Sequence, residues 1–529
     1  MILFFSFLIA MLVTMILIPP LMRVAARLHI VDLPNDRKVH TAAIPRVGGV
    51  AMVVGAVLPL LLWLLPLPEV MGLLLGMGVI LAFGVWDDRA DLDYRLKFAG
   101  QCLAAVIVWW AGARVEALPW IGALTPLWSL GFTVLALLAI TNAVNLADGL
   151  DGLAGGSTLL SLTAIAVLGY MAGQVAVVLI ALAVMGSILG FLRFNTHPAQ
   201  VFMGDAGSQF LGFATGVLAI FLTQGENSLY SLSLPILLLG LPILDTALVM
   251  IQRLREGRSP FSPDKNHIHH RLLAAGFDHY QAVFVIYIVQ ALLVIAAYYL
   301  RNASDTLILL CYAVCCTVII AAVTWAGARP RRARAMPALL KAWGFPGERV
   351  VRWGALTAAF SIPLYLAAGN LRADAPSADL VWLAGGLMSL LALWWWWWCG
   401  QPINWLERGG IYLAAALTLY LAQRAGAAGL WMILSDIYFA LLAVTVVIAF
   451  RCARDQRFVA TPLDFLVVFL AVVLPQVPGL EIGYAQDLTR LMVLFYALEL
   501  VLTQLQARYD LVRAAACVLL CLPLLRLFM

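Results

Sequence analysis

The sequence predicts an all-α polytopic membrane protein. Of its 529 residues 64% are hydrophobic and only 12% charged, more apolar surface than a water-soluble domain of this size can bury. Runs of about 20 mainly apolar residues, the length a helix needs to cross a bilayer, recur along the whole chain. A transmembrane β-barrel would instead show short segments of alternating polarity.

About eleven spans are expected up to residue 325. They centre near Leu12, Val57, Leu81, Val106, Leu135, Ile165, Ala183, Gly216, Leu241, Leu292 and Val318. The first run, Met1 to Leu21, lacks a basic leading segment and a small-residue cleavage site, so it reads as a retained helix and not a signal peptide. Arg23, Arg27, Arg37, Lys38 and Arg46 follow it, which places that end in the cytoplasm and the N-terminus outside. Alternating from there, residues 23–46, 86–97, 141–157, 193–208 and 253–281 become cytoplasmic loops. The loops on the other side carry only Arg114 and Arg301 as basic residues, in keeping with the positive-inside rule. Nearly every polar, Gly-rich or His-rich segment of this half falls on one face.

The remaining composition excludes other classes. The net charge of +5 is spread among loops and forms no basic patch, so nucleic acid is not an expected partner. The eight cysteines sit almost all in apolar runs without a CxxC pair or Cys/His cluster, and read as small hydrophobes. Residues 328–352 hold Arg329, Arg331, Arg332, Arg334, Lys341, Arg349 and Arg352. This stretch reads as a cytoplasmic linker between a domain of residues 1–327 and a C-terminal transmembrane domain of residues 353–529 with about six or seven spans. The run Trp394–Trp398 in that second domain suits the membrane interface.

Four polar segments in the first half bear on chemistry. In Trp86-Asp87-Asp88-Arg89-Ala90-Asp91-Leu92-Asp93, four carboxylates crowd the end of an apolar helix. Their mutual repulsion calls for water, a cation or a basic partner, and hard oxygen ligands suit Mg²⁺ beside substrate phosphates. A solvated acidic loop is the alternative. In the segment Thr141–Gly156, Asn142, Asn145, Asp148 and Asp151 recur every third residue directly after an apolar run, so adjacent members share a helical face near membrane depth, where ionisable groups are costly. Gly149 and Gly152 would loosen the turn and admit a ligand. In the segment Asn195–Ser208, Asp205 stands between Gly204 and Gly207 at a helix start, with Asn195 and Phe202 upstream; an ordinary helix cap is the alternative. In the segment Pro260–Arg271, His267, His269 and His270 accompany Lys265 and Arg271. His267 and His270 could share a helical face, and the group suits hydrogen bonding to an anion better than a transition metal. Arg46, in Ile44-Pro45-Arg46-Val47-Gly48-Gly49, and Lys97 add cations nearby. Asp245 lies within the ninth span and reads as a structural hydrogen-bonding group near a helix end.

Taken in order, Asp87-Asp88-Arg89, the Asn145–Gly156 run, Phe202-Met203-Gly204-Asp205 and His267-Ile268-His269-His270 resemble the polyprenyl-phosphate N-acetylhexosamine-1-phosphate transferase superfamily (glycosyltransferase family 4). The aspartate pair followed by Arg and the His-Ile-His-His order resemble its WecA-type branch. The phospho-MurNAc-pentapeptide transferase branch typically has Tyr after the pair and three consecutive histidines. The resemblance covers residues 1 to about 325. It implies transfer of a HexNAc-1-phosphate, with GlcNAc-1-phosphate foremost, from a UDP-sugar to undecaprenyl phosphate, with loss of UMP, at the start of cell-surface polysaccharide synthesis. It further implies Mg²⁺, or Mn²⁺ in its place, on Asp205 and Asn145. Asp87, Asp88 and Asp148 would be catalytic. Lys97 would meet the lipid phosphate, and Phe202 would stack on uracil. Asp151 would contact the nucleotide, and His267, His269 and His270 the pyrophosphate or sugar, with Arg46, Asn142 and Asn195 completing the binding residues. The setting would be the bacterial inner membrane with the site facing the cytoplasm; a second copy of the chain or downstream glycan-assembly proteins are further expected partners. A secondary transporter would place its polar residues near the bilayer midplane in paired halves, and a non-catalytic assembly protein would have no need of the full carboxylate set.

Overall fold

The computed structural model describes residues 2–32, 43–65, 67–224, 228, 230–259, 266–328, 348–372, 378–397, 405–423, 430–452, 482–504 and 509–525. The described residues divide into two compact units, one within residues 2–328 and one within residues 348–525. The chain is a polytopic α-helical membrane protein. Ten described helices are both long and apolar enough to cross a bilayer, two of them, Val351–Arg372 and Asp379–Trp397, in the second unit.

In the first unit the helices are α1 (Ile2–Ala25), α2 (Gly48–Trp63), α3 (Pro68–Ala90), α4 (Tyr94–Trp110), α5 (Pro126–Ala147), α6 (Leu153–Met171), α7 (Val175–Asn195), α8 (Gly204–Gln224), α9 (Leu234–Leu238), α10 (Gly240–Arg255), α11 (Ile268–Ala274), α12 (His279–Leu300) and α13 (Asp305–Ala328). Every expected span centre falls on one of them. Helices α6 and α8 are the core, with 94% of their apolar windows inside the protein. Consequently they carry no lipid-facing side, and their apolar residues run all round the helix. Two short antiparallel ladders complete the unit, β1 (Val31–Asp32) on β2 (Ile44–Pro45) and β3 (Ala117–Leu118) on β4 (Gly122–Ala123).

Three expectations need correction. The segment 86–97 is not a loop: α3 runs on through Asp87 and Asp88, and a tight connection at Asp91, with φ +46°, leads into α4. Asn142 and Asn145 are likewise helical, so the three-residue rhythm ends where α5 stops at Ala147. The ninth span is not one helix but two, broken at Leu239 between α9 and α10. Pro242 explains the break, because it offers no N–H to the carbonyl four residues back. That carbonyl, of Leu238, instead accepts hydrogen bonds from the Ser161 hydroxyl at 2.7 Å and the Gln290 amide at 2.8 Å. Inside a membrane a freed carbonyl needs such partners.

The second unit contains α14 (Glu348–Arg372), α15 (Ala378–Trp397), α16 (Trp405–Gln423), α17 (Leu430–Cys452), α18 (Ile482–Gln504) and α19 (Tyr509–Leu525) among the described residues. Helix α14 packs against α16, α17, α18 and α19. It begins at Glu348, so Arg349 and Arg352 belong to a helix and not to a linker; residues 329–347, the rest of the expected basic linker, lie outside the described residues. Ion pairs cross this unit, one of them buried on both sides. Arg513 of α19 grips Glu407 of α16, with Nη2 3.0 Å from Oε2. Arg490 of α18 pairs with Asp436 of α17 at 2.7 Å and also donates to Gln423 of α16. Paired in this way, the buried Arg490, Arg513 and Glu407 each have a charged partner.

Candidate active site

Successive membrane helices run in opposite directions, so the end of one and the start of the next meet at the same face. The polar segments sit at those turning points: the last turn of α3 and the start of α4, the α5–α6 turn, the α7–α8 connection, α11, and the start of α12. Together they border a cleft of about 800 Å³. Of the residues singled out from sequence, Arg46, Asp88, Asn145, Asp148, Asp151, Asn195, Phe202, Asp205 and His270 line it. Asp87, Lys97, Asn142, His267 and His269 do not appear in its wall.

Asp205 stands at the centre. It opens α8, yet it is not the cap of that helix. The cap comes from α3: the Asp88 carboxylate accepts hydrogen bonds from the backbone N–H of Asp205 at 2.8 Å and of Ala206 at 3.1 Å. Anionic acceptors are favoured at a helix N-terminus, where the amides are otherwise unpaired. Gly204 makes this approach feasible. Its φ is +68°, and a Cβ there would lie 2.4 Å from Asp88 Oδ2. With its helix capped from elsewhere, Asp205 keeps its own carboxylate for side-chain partners. Oδ1 accepts from Asn145 Nδ2 at 2.6 Å and Oδ2 faces Lys97 Nζ at 3.4 Å.

Lys97 also reaches Asp87 Oδ2 at 2.5 Å. The Asp87 side chain is wholly buried, and its Oδ1 accepts from the Leu92 backbone N–H at 2.8 Å. Asp87 and Lys97 thus stand behind Asp205, which is the member of the three that lines the cleft. Asn142 is turned aside: its amide donates to Gln101 Oε1 at 2.7 Å, and Gln101 in turn donates to Gln209 at 3.0 Å, which ties α4, α5 and α8 together.

Asp148, in the α5–α6 turn, opens to the cleft. Although its side chain is exposed, desolvation by the surrounding protein, together with the negative charges of Asp205 and Asp151, raises its carboxyl pKa. Asn195 has both polar ends engaged, accepting from Gly152 N at 2.8 Å and donating to Val201 O at 2.9 Å; it holds the α5–α6 turn against the strand-like stretch leading to Phe202. Phe202 is fixed by its backbone, donating to Pro45 O at 2.8 Å and accepting from Gly48 N at 3.0 Å. Arg46 pairs with Asp32 at the rim.

The donor set fits a hard divalent cation. Asp205 and Asp148 offer carboxylate oxygens. Asn145 donates its Nδ2 to both Asp205 and Ser208, which turns its carbonyl oxygen to the remaining side, and such all-oxygen sets suit Mg²⁺. A second group, Asp151, His197 and His279, brings three donor atoms within 4.8 Å of one another. It is better described as a hydrogen-bonded pair with a stacked neighbour. His197 Nδ1 lies 2.6 Å from Asp151 Oδ2, and the rings of His197 and His279 stack at 4.1 Å with only 18° between their planes. One ion could not lie in both planes without rotation of a ring, as imidazole ligation requires.

The histidine segment departs from expectation. His267 precedes the first turn of α11 with extended backbone, so helical spacing does not relate it to His270. Its Nδ1 bonds Asp245 Oδ2 at 2.8 Å, and the other oxygen of Asp245 accepts from Ile268 N at 2.7 Å. The structural role expected of Asp245 is the one it fills. His269 is buried, and burial, reinforced by the neighbouring His270, lowers its pKa to about 3. His270 lines the cleft. Lys265 and the other residues of 260–265 lie outside the described residues. Asp32, Asp91, His197 and His279 line the cleft as well. His197 and His279 fell only within the expected cytoplasmic loops 193–208 and 253–281; nothing in the local pattern marked Asp32.

The fold and this cleft define a membrane-embedded protein with an oxygen-rich, carboxylate-lined cleft at one end of its helix bundle. A family model described as Glycosyl transferase family 4 matches residues 70–223. The probable undecaprenyl-phosphate N-acetylglucosaminyl 1-phosphate transferase of Bacillus subtilis (strain 168) is 37% identical over 307 residues, covering 56% of this chain and 85% of that protein. The decaprenyl-phosphate N-acetylglucosaminephosphotransferase of Mycobacterium tuberculosis (strain CDC 1551 / Oshkosh) is 38% identical over 310 residues, 51% of this chain and 75% of that protein. The undecaprenyl-phosphate alpha-N-acetylglucosaminyl 1-phosphate transferase of Yersinia pestis is 34% identical over 281 residues, 51% of this chain and 77% of that protein. The chain belongs to glycosyl transferase family 4. The matches leave the C-terminal region uncovered.

Proposed function

We propose that the first unit transfers a HexNAc-1-phosphate, GlcNAc-1-phosphate foremost, from a UDP-sugar to undecaprenyl phosphate, in the bacterial inner membrane with the cleft facing the cytoplasm, as the first step of a cell-surface polysaccharide. The observation that carries this reading is the Asp205 arrangement: a carboxylate between Lys97 and Asn145 at a helix start, where a lipid phosphate at the membrane surface and a water-borne nucleotide could both arrive. The names of the relatives support the acceptor class and the sugar phosphate. The cytoplasmic side follows from the basic residues of the loops.

In the reaction, a phosphate oxygen of the lipid attacks the β-phosphorus of the donor. The bond from that phosphorus to the bridging oxygen breaks, and UMP departs with the electron pair. One phosphoanhydride replaces another, so the residues supply positioning and charge neutralisation. Lys97, set by the buried Asp87, draws in the lipid phosphate. Asp88 fixes the start of α8 and with it the direction of Asp205. Phe202 offers a ring face to the base, and His270 a hydrogen bond to the pyrophosphate or sugar. Asp205, Asn145 and Asp148 would hold Mg²⁺, which when bound offsets the negative charge of the pyrophosphate.

The test is purified protein with undecaprenyl phosphate, Mg²⁺ and a panel of UDP-sugars including UDP-MurNAc-pentapeptide, reading UMP and the lipid product by mass spectrometry. A HexNAc-1-phosphate lipid is expected. Product from the pentapeptide donor alone would move the chain to peptidoglycan synthesis, and no product from any donor would remove the catalytic reading.

A further inference from the structure

We propose that His269 is a positioning residue: its ring is a wedge against Gly149 that sets the height of the Asp148 turn, and it touches no substrate. The inference rests on the reading of Asp148 as a working carboxylate of the transfer. Three observations carry it. His269 is only 3% exposed, and its Nε2 has no hydrogen-bond partner among the described residues. A buried polar atom left without a partner is uncommon and needs a reason. The reason lies directly opposite: a Cβ built on Gly149 would fall 2.2 Å from that Nε2 and 2.4 Å from Cε1. The ring fills the space a side chain at 149 would take. Unlike Gly152, with φ +79°, Gly149 is not among the residues with positive φ, so the missing Cβ answers to the histidine and not to backbone conformation.

The wedge is itself anchored. Asp245 of α10 bonds His267 and the backbone of Ile268, and the His267 and His269 rings lie nearly parallel, 11° apart with centroids at 5.6 Å. A connected path thus runs from Asp245 in α10, through α11, to the residue next to Asp148. His270, tilted against His269 at 4.2 Å, is the member of the trio that faces the cleft.

A double-mutant cycle on the full chain tests this, with kcat and KM measured for UDP-GlcNAc and undecaprenyl phosphate. Gly149→Ala should lower kcat about 100-fold, the scale of a misplacement near 1 Å. His269→Ala should lower kcat about tenfold and leave the KM for UDP-GlcNAc within about twofold of wild type, because the ring orients and does not bind. Combining the two should raise kcat about tenfold above Gly149→Ala alone, since the new methyl occupies the vacated space. A double variant no better than Gly149→Ala, or a His269→Ala variant whose whole loss is in KM, overturns the proposal. Where Gly149→Ala gives no folded protein, His269→Ala should restore its detergent-soluble yield, and failure to do so is equally decisive. Wild-type protein inactive with every donor would instead sink the transferase reading, and the yield measurement would still decide the Gly149–His269 contact.

Discussion

Asp88 and Asp205 are joined through the backbone: the carboxylate of the first accepts from the N–H of the second at 2.8 Å and from that of Ala206 at 3.1 Å. The two residues therefore differ in kind. Asp205→Asn should leave the fold intact and lower UMP release about 100-fold or more, whereas Asp88→Ala should also lower stability, by about 1.5–3 kcal/mol for the loss of charge-assisted bonds. Thermal unfolding in detergent beside UMP release separates them. Equal melting temperatures for Asp88→Ala and wild type would contradict the assignment.

Gly204→Ala provides an independent check on the same contact. The substitution meets Asp88 Oδ2 and imposes a positive φ on alanine. A cost of about 1–2 kcal/mol from the backbone alone is expected, with activity falling further as Asp88 is displaced. Retention of full turnover would show that the α3–α8 contact is not needed for catalysis.

Lys97 is the cation that the buried Asp87 contacts in a side-chain ion pair. Its removal in Lys97→Met should cost about 1–3 kcal/mol, because the buried Asp87 loses a charged partner that is itself a third exposed. Adding Asp87→Asn should return most of that stability while activity stays lost, because the lipid phosphate would still lack its partner. Calorimetry of the single and double variants checks the first half and a transfer assay the second.

His269 gives the fold a pH dependence of known sign. Its pKa in the folded protein is about 3, below the unfolded value near 6.5. Its contribution is therefore fully present above pH 6.5 and is lost as pH falls, because the unfolded chain then binds the extra proton. About 1–2 kcal/mol should disappear between pH 6.5 and pH 5. The melting temperature of wild type should drop more steeply across this range than that of His269→Asn, and parallel curves would be inconsistent with a neutral, buried ring.

Metal removal should silence the site. Chelation is expected to stop UMP release, and Mg²⁺ or Mn²⁺ to restore it, while Asp205→Asn should respond to neither. Full activity in excess chelator would exclude a divalent cation from the transfer.

Much of this was legible in the sequence because the bilayer imposes a coarse rule. A run of twenty apolar residues becomes a helix, and successive helices alternate direction, so polar segments at alternate turns must share a face. What escaped was set by three-dimensional packing. Asp87 and Asp88 look alike in a string, yet one faces Lys97 and the other caps α8. His267, His269 and His270 look like one cluster, but His267 precedes the helix and His269 is enclosed, which leaves His270 at the cleft. His197 and His279 are 82 positions apart, and only the approach of the α7–α8 connection to the start of α12 stacks them. The split of the ninth span could have been foreseen from Pro242, but not the identity of the groups that receive the freed carbonyl.

The Arg490 cluster has a consequence for how the chain is made. Helix α18 carries Asp487, Arg490 and Glu499 and is not among the ten helices apolar enough to cross a bilayer unaided. An arginine at the centre of a lone helix costs about 2.5–3.5 kcal/mol on entering lipid from the translocon, and beyond Asp487 of its own helix, 3.8 Å away, Arg490 finds its closer partners, Gln423 and Asp436, on helices synthesised earlier. Insertion of α18 therefore depends on α16 and α17 being present and waiting beside it. Shortened chains should fail in biogenesis according to which partner they lack: deleting α16 or α17 would strand α18 outside the membrane even though its own sequence is untouched.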